Sequence, residues 1–310
     1  MSESRRYRYL PDYFKSRFGE RVQKLSIDGG FTCPNRDGRV GKEGCIFCNN
    51  ESFTPAYCRL EKDVTSQIEA GVRFFDHKYS GQKYLAYFQS YSGTYAPLPR
   101  LKQLYEEALS HPKIVGIVVA TRPDAVSDEV LDYLQQLAES YYVCVEYGVE
   151  SANDEVLETI NRGHNFASSE NTIRATAGRG IHIGAHLIFG LPHESSASML
   201  EGIEKLSALP IDILKLHQLQ IVKNTHLAKM FEESPKDIPL YTADEYLNFV
   251  VESIRRMRPD VYLERFVNQS PPDYLIAPDW GIKNYEFTNK LDKILKERNV
   301  MQGELWLDRK

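Results

Sequence analysis

Short runs of β-branched and aromatic residues alternate with amphipathic stretches of helical length from residue 84 onward. This alternation predicts βα units, whose strands pair in parallel within one sheet and are joined by right-handed crossovers. One earlier strand precedes a cysteine-rich segment. The six predicted strands span residues 25–28, 84–89, 114–120, 142–149, 182–190 and 212–219.

Amphipathic helices are predicted after most of these strands and again near the C-terminus. Six βα units are fewer than the eight that close a TIM barrel, so we expect an α/β fold in which a partial (β/α)6 TIM-type barrel remains open. The predicted helices span residues 63–79, 101–110, 127–139, 167–179, 195–209, 243–257 and 285–298.

The pattern changes after residue 222, where two predicted helices are joined by a loop that contains Pro271, Pro272 and Pro278. Prolines at this density mark irregular connections. We therefore expect residues 1–222 to form the partial barrel, with a cysteine loop at 29–50, and residues 223–310 to form a mostly helical C-terminal extension.

Composition bounds the environment of the chain. With 310 residues and 42% hydrophobic content it can bury a large core. Its apolar runs are shorter than the roughly 20 residues of a membrane span, and its first residues lack an apolar signal core, so we expect a cytoplasmic protein without a membrane segment. The formal net charge of −5 provides no overall electrostatic attraction to nucleic acid, although a local basic surface could still bind one. Basic stretches are Arg5, Arg6 and Arg8; Arg255, Arg256 and Arg258; and Lys290, Lys293 and Lys296.

Four of the five cysteines lie close together in the sequence. Cys33, Cys45 and Cys48 occupy a glycine-rich loop directly after the first predicted strand, at the edge of a parallel barrel where active sites occur. Such thiolates suit zinc or an iron-sulfur cluster. Cys58 could complete a closed zinc site as a fourth ligand, or it could be a small buried hydrophobic residue. Spacing alone leaves both kinds of site open.

Several motifs are more specific than the cysteines. The segment GGFTCPNRDG at 29–38, continued by GCIFCN at 44–49, resembles the radical S-adenosylmethionine (SAM) family of YhcC and YtqA, which is related to the Elongator catalytic subunit. The resemblance extends over nearly the whole chain. Its further motifs are YFQSY at 87–91, TRPD at 121–124, EYGVE at 146–150, NRGH at 161–164, HLIFGLP at 186–192 and KLHQLQIVK at 215–223.

This resemblance implies a [4Fe-4S] cluster bound by Cys33, Cys45 and Cys48, with SAM on the fourth iron. Transfer of an electron to SAM would yield a 5′-deoxyadenosyl radical that abstracts hydrogen from a substrate. The electron donor expected for this chemistry is a protein of the flavodoxin or ferredoxin type. Cys58 is then not a ligand.

The resemblance also implies roles for residues at later strand ends. Lys215 and His217 alternate on the sixth strand, so they point the same way and are the candidate catalytic residues on the substrate side. The residues for SAM also have structural alternatives. Arg162 could be a solvated arginine and His186 a core histidine. Gln89 and Ser90 could be ordinary polar residues at a strand end. Ala120 stands at a position where many distant relatives carry a glutamate, so we assign no role of that glutamate to this chain. The candidate SAM-binding residues are Phe47, Gln89, Ser90, Glu150, Arg162 and His186.

Families similar to this one modify tRNA. The resemblance therefore implies tRNA as substrate and conversion of wobble 5-carboxymethylaminomethyluridine toward 5-aminomethyluridine. Two alternatives stay open: a radical SAM enzyme acting on a small metabolite or a peptide, and a zinc-stabilised RNA-binding protein.

Overall fold

A curled sheet of seven parallel strands forms the centre of the computed structural model, which describes residues 5–76 and 81–306. Neighbouring strands in this sheet follow one another in sequence order. The six predicted strands are confirmed, and the predicted partial barrel has one strand more than expected. The seven strands are β1 Val22–Ile27, β2 Lys83–Phe88, β3 Ile114–Thr121, β4 Tyr142–Glu150, β5 His182–Phe189, β6 Ile213–Gln218 and β8 Tyr262–Arg265.

Helices connect the strands and pack on the outside of the sheet. All seven predicted helices are present, although residues 77–79 of the first one lie outside the described ranges. Within residues 5–76 and 81–306, no helix has the length and apolarity that crossing a membrane requires. The helices are α1 Leu10–Phe18, α2 Ala56–Leu60, α3 Val64–Asp76, α4 Leu98–Leu109, α5 Asp128–Ala138, α6 Asp154–Thr159, α7 Phe166–Thr176, α8 Ser196–Ser207, α9 His226–Glu233, α10 Ala243–Arg256 and α11 Asn284–Glu297.

Alternate residues of each strand face either the helices or the interior of the barrel, which we call the lumen. On β4, Val143, Val145 and Tyr147 belong to the apolar core under the helices. Tyr142 and Cys144, one residue out of step, belong to a separate cluster inside the barrel. Both faces of the sheet are therefore buried, as is typical of parallel strands.

Helix α1 closes the lumen at the N-terminal ends of the strands. Leu10 and Phe14 of this helix are buried against the inward-facing side chains of the sheet, and the Phe14 ring meets Tyr142 edge-on at 5.4 Å between centroids. Pro11 occupies the first turn, where its missing N–H costs no hydrogen bond. The lumen is thus plugged at its base by α1.

Strand β8 comes from the segment that was expected to be mostly helical. It pairs in parallel with β6, and the main chain of Arg8 accepts a hydrogen bond from Leu263 on the outer edge of β8. A second, antiparallel pair joins β7 Ile221–Val222 to β9 Leu275–Ala277. The domain boundary that the sequence predicts after residue 222 stays a prediction. Strand β8 lies beyond that position and belongs to the barrel sheet.

Candidate active site

The cysteine loop follows β1 and lies at the C-terminal edge of the sheet. Its turns are held by the main chain: the carbonyl of Cys33 accepts hydrogen bonds from Arg36 and Asp37 at 2.8 and 3.1 Å. The amide of Ile46 donates to the carbonyl of Ile160, beyond β4, at 3.0 Å. These contacts position the loop over the end of β4.

Three thiols lie together in this loop. Cys45 is buried, whereas Cys33 and Cys48 are partly exposed. Burial and the neighbouring thiols of Cys45 and Cys33 raise the pKa of Cys48 to about 11, while Arg36 opposes this rise. Among residues 5–76 and 81–306, no group of three His, Cys, Asp or Glu residues could hold a single metal ion. A [4Fe-4S] cluster does not require such a group, because each thiolate binds a different iron.

Cys58 has a different environment. It is buried on α2, and its thiol donates a hydrogen bond to the carbonyl of Ser26 at 3.0 Å. Burial raises the pKa of Cys58 to about 12, with Asp28 and Tyr57 as its electrostatic neighbours. The thiol is therefore protonated at neutral pH, and joining a zinc site as a fourth thiolate would require it to give up this bond.

Arg162 lies between the cysteine loop and the end of β4. Its guanidinium donates to Cys45 Sγ at 3.4 Å and to the carbonyl of Gly148, and lies 3.6 Å from Glu150. Burial alone would lower the pKa of Arg162, but Cys45 and Glu150 outweigh it and the pKa rises. A Cβ on Gly148 would lie 2.8 Å from Arg162, so glycine is required for this approach.

The backbone of β4 is irregular at this point. The pairing register with β5 shifts between Gly148 and Glu150, and Glu150 has a left-handed φ of 70°. This conformation is unfavourable for a residue with a side chain and is characteristic of functional sites. The bulge directs the Glu150 carboxylate toward Arg162, at the mouth of the barrel.

A second set of contacts joins the loop to residues 161–164. Asn35 donates to the carbonyl of Asn161 at 2.6 Å and to Cys45 Sγ at 3.8 Å, and Asn161 donates to the carbonyl of Gly44 at 2.7 Å. Gly163 has a φ of 76°, and a Cβ there would lie 2.6 Å from Val40. Cys45 thus accepts N–H···S hydrogen bonds from two buried side chains, Asn35 and Arg162.

Several buried polar atoms near the loop lack a hydrogen-bond partner in the described chain. They are Asn35 Oδ1, Arg122 Nη1, Arg162 Nε and His164 Nε2. Buried polar atoms are normally paired, so a cluster of unpaired ones indicates room for a bound group. An iron-sulfur cluster requires thiolates, which the three loop cysteines can supply. The carboxylate of SAM requires a hydrogen-bond donor, and the free Nε of Arg162 is one.

A layer of buried charges crosses the lumen below this site. Glu146 is fully buried, and its carboxylate lies 2.5 Å from Lys24 and 2.6 Å from Lys215. Glu264 on β8 lies 2.6 Å from Lys24 and 3.3 Å from Lys215. Two lysines and two glutamates from four strands therefore form one network, which we call the lumen ion layer.

The network holds the Glu146 carboxylate ionised. Burial would raise the pKa of Glu146, but Lys215 and Lys24 lower it well below its usual value. Burial would likewise lower the pKa of Lys215, but Glu146 and Glu264 raise it. Lys215 also donates to the hydroxyl of Tyr87 at 3.2 Å and lies 4.7 Å from the centre of that ring. The Lys215 ammonium is fully occupied by these partners.

Two histidines lie above the ion layer. His186 Nε2 is 3.2 Å from the Glu146 carboxylate, and the ring of His217 lies 5.3 Å from that of His186. Burial, followed by the charges of His186 and Arg265, lowers the pKa of His217 well below its usual value. His217 is therefore neutral at physiological pH.

Comparison with known protein families decides the identity of this site. The Radical SAM superfamily matches residues 33–206, which include all three loop cysteines and β2 to β5, and the Radical_SAM C-terminal domain matches residues 211–297. Protein YhcC of Escherichia coli K12 is 37% identical over 296 residues, which cover 94% of each chain. The chain belongs to the radical SAM superfamily.

Further relatives agree with this assignment. YtqA of Bacillus subtilis is 31% identical over 302 residues, covering 97% of this chain and 93% of that protein. Among solved structures, the archaeal Elp3 of Methanocaldococcus infernus, with an N-terminal deletion, superposes with a TM-score of 0.70 at 15% identity. It covers 91% of this chain, and this chain spans 64% of that one. This structural similarity confirms the fold.

Membership makes the protein a radical SAM enzyme with a [4Fe-4S] cluster and SAM as cofactors. The predicted site residues lie on a common path from the loop into the barrel. Phe47 is half-buried and packs beside Ile46, Ser90 is buried, and Gln89 Oε1 accepts a hydrogen bond from Ser26 at 3.3 Å. Glu150 and Arg162 lie at the mouth. The structure places them at the same edge of the sheet.

The other three predicted residues of this radical SAM barrel face the lumen; they are His186, Lys215 and His217. Sequence reasoning missed their partners Lys24, Glu146 and Glu264, although the alternation rule applied to EYGVE would have pointed Glu146 inward with Gly148. The roles of all the predicted site residues stay predictions.

Proposed function

We propose that this enzyme modifies the wobble uridine of tRNA, converting 5-carboxymethylaminomethyluridine to 5-aminomethyluridine. The observation that carries the proposal is the character of the barrel mouth. Basic side chains of the cysteine loop lie over tyrosine rings of the loop after β2, a combination that suits flipped or single-stranded bases next to phosphates.

The contacts of this surface are specific. Arg36 lies 5.9 Å from the ring centre of Tyr91, and Arg39 lies 5.4 Å from that of Tyr95. Tyr91 is 38% exposed and has a left-handed φ of 54°. Arg39 and Lys42 are exposed and form no ion pair with the described part of the chain. We call Arg36, Arg39, Lys42, Tyr91 and Tyr95 the mouth surface.

The basic stretches noted in the sequence have a different position. Arg5 pairs with Asp12 and Asp292, and Arg255 pairs with Glu252 at 2.8 Å. Arg258 bonds to main-chain carbonyls that precede β6, at the closed end of the barrel. These cations are neutralised far from the cysteines, so they do not support substrate binding. The unpaired cations of the mouth surface do.

Relatives with known roles support a tRNA substrate. A tRNA uridine(34) acetyltransferase of Methanocaldococcus infernus is 28% identical over 204 residues, covering 64% of this chain and 36% of that protein. Elongator complex protein 3 of Schizosaccharomyces pombe is 28% identical over 128 residues. Nucleotide 34 of tRNA is the wobble position.

Within this proposal, Cys33, Cys45 and Cys48 hold the cluster. Arg162 and Glu150 orient the carboxylate and ribose of SAM, with Phe47, Gln89 and Ser90 around its adenine and amino group. The bound cofactors supply a 5′-deoxyadenosyl radical. Below them, the ion layer excludes water from the base of the lumen, His186 lies toward SAM, and the side chains of Lys215 and His217 face the substrate.

The proposal implies specific partners and a location. The cluster needs an external electron donor, and we propose a flavodoxin or ferredoxin. We also propose a cytoplasmic location, where such donors and tRNA are found together.

Nucleoside mass spectrometry of tRNA from a deletion strain tests the function. The expected result is accumulation of 5-carboxymethylaminomethyluridine derivatives at the wobble position, corrected by the wild-type gene. The double variant Arg39→Gln/Lys42→Gln should restore modification poorly and bind tRNA with a smaller salt dependence, since two phosphate contacts are lost. Lys293→Gln, an exposed lysine on α11, serves as the matched control. Unchanged wobble uridines would contradict the proposal and favour a small metabolite or a peptide as substrate.

A further inference from the structure

We propose that the upper lumen contains a binding site for a carboxylate group, formed by Arg265 together with His217 and His186. The ligand would be the carboxylate of the substrate side chain, an identification that rests on the proposed function. The site itself is inferred from charge, orientation and unpaired polar atoms in the lumen.

The first observation is a charge that the lumen does not balance. Lys24 and Lys215 are both paired with Glu146 and Glu264 in the ion layer. Arg265 adds a third cation, and it has no ion pair or side-chain hydrogen bond with the described residues. Three cations therefore face two carboxylates, which leaves one positive charge for a ligand.

The second observation is the orientation of Arg265. Its neighbour Phe266 packs outward, with its ring 5.3 Å from that of Tyr7, so Arg265 faces the opposite side of β8, toward the lumen. The pairing of β8 with β6 shifts by one residue at Glu264, so that Arg265 pairs with the inward-facing Lys215 and both Glu264 and Arg265 can point inward at this bulge. Its positive charge contributes to the lowered pKa of His217 and opposes the rise in the pKa of Lys215, so the guanidinium lies near both. Because Arg265 is exposed, a ligand can reach it.

The third observation concerns the histidine rings. Neither ring nitrogen of His217 has a hydrogen-bond partner in the part of the chain that the structure describes, although the side chain is largely buried. His186 Nε2 lies 3.2 Å from the Glu146 carboxylate, so the His186 ring lines the site directly above the ion layer. The neutral His217 ring carries one N–H, which can donate to an anion bound by Arg265.

The location fits a substrate group close to the cofactors. His186 pairs in register with Gly148 on β4, and the carbonyl of Gly148 accepts a hydrogen bond from Arg162, which contacts Cys45. The proposed site is thus one layer below the cysteine loop. The planar fork of Arg265 matches the two oxygens of a carboxylate, whose single charge equals the unbalanced charge of the lumen.

The test compares two anticodon stem-loops that differ in one group. One carries 5-carboxymethylaminomethyluridine at the wobble position and the other carries 5-methylaminomethyluridine, which keeps the amine and lacks the carboxylate. Wild-type enzyme should bind the first stem-loop at least about tenfold more tightly than the second, which is the ratio of dissociation constants expected of a charge-assisted hydrogen bond. Arg265→Gln should remove this preference without weakening binding of the second stem-loop, and Arg265→Lys should restore part of it.

The matched control is Lys42→Gln on the mouth surface, which should weaken binding of both stem-loops by the same factor. Equal affinity of wild-type enzyme for the two stem-loops, or a preference that survives Arg265→Gln, would overturn the carboxylate site while leaving tRNA binding intact.

If neither stem-loop binds, the tRNA proposal fails and a second measurement decides on the site alone. Modification of Arg265 by phenylglyoxal, followed by mass spectrometry of the holoenzyme, should be slowed by N-methylglycine and not by N-methylglycinamide. Arg39 serves as the internal reference. Equal rates with both compounds would overturn the site.

Discussion

Substitution of Glu146 by glutamine tests the lumen ion layer. The side chain is fully buried, and its two oxygens lie 2.5 Å from Lys24, 2.6 Å from Lys215 and 3.2 Å from His186. Glutamine has nearly the same shape, so packing is preserved and the charge alone is removed. Both lysines would then depend on Glu264, which lies at the edge of the sheet.

Removal of one partner from a buried ion network costs about 3–5 kcal/mol, because the remaining charges stay desolvated. For a chain of this size, that corresponds to a fall of roughly 5–8 °C in apparent melting temperature. Because the pKa of Glu146 is lowered in the folded state, its contribution is present at neutral pH and is lost as the pH falls through that lowered value. The difference between wild type and Glu146→Gln should therefore shrink under strongly acidic conditions.

The assay is thermal unfolding at pH 7, with Glu297→Gln as the matched control. Glu297 forms an exposed pair with Lys293 at 3.7 Å on α11, so its substitution should change stability by less than about 0.5 kcal/mol. If Glu146→Gln loses no more than Glu297→Gln, the ion layer does not stabilise the barrel and the reasoning is refuted.

Two further predictions concern the loop and the rim. Gly163→Ala should lower the iron content and stability more than Gly178→Ala. Both glycines have left-handed φ values, 76° and 78°, but a Cβ at Gly163 would meet Val40 at 2.6 Å, whereas a Cβ at Gly178 would meet nothing within 4 Å. Equal losses in an iron assay would contradict the packing argument. Burial raises the pKa of Glu194 to about 7, so the native state loses stability as the pH rises from about 4.5 to 7. In urea unfolding, Glu194→Gln should abolish this decline, which amounts to up to about 3 kcal/mol in the free energy of unfolding between pH 5 and pH 8. Parallel pH profiles of the wild type and the variant would contradict the prediction.

The strands and helices of the barrel could be predicted because parallel strands are buried on both faces and appear as continuous apolar runs. Strand β8 escaped prediction for the opposite reason. Its sequence YLER ends in two charged residues, because it lies at the sheet edge and directs Glu264 into the lumen. Helix α1 was also missed, because nine residues with a proline in the first turn carry a weak periodic signal.

The candidate site was predicted in part. Motifs at strand ends indicated the loop cysteines, Glu150 and Arg162, because strand ends of a parallel sheet meet at one edge. The ion layer was not foreseen: Lys24 and Glu264 are 240 residues apart, and only the register of the sheet brings them together. Arg265 was missed for the same reason.

Metal analysis of anaerobically purified cysteine variants tests the central claim most directly. Wild-type enzyme and Cys58→Ala should each contain about four irons per chain, whereas Cys45→Ala should lose them together with the brown colour. A colourless wild-type protein that holds one zinc and releases it on Cys58→Ala would contradict the radical SAM site.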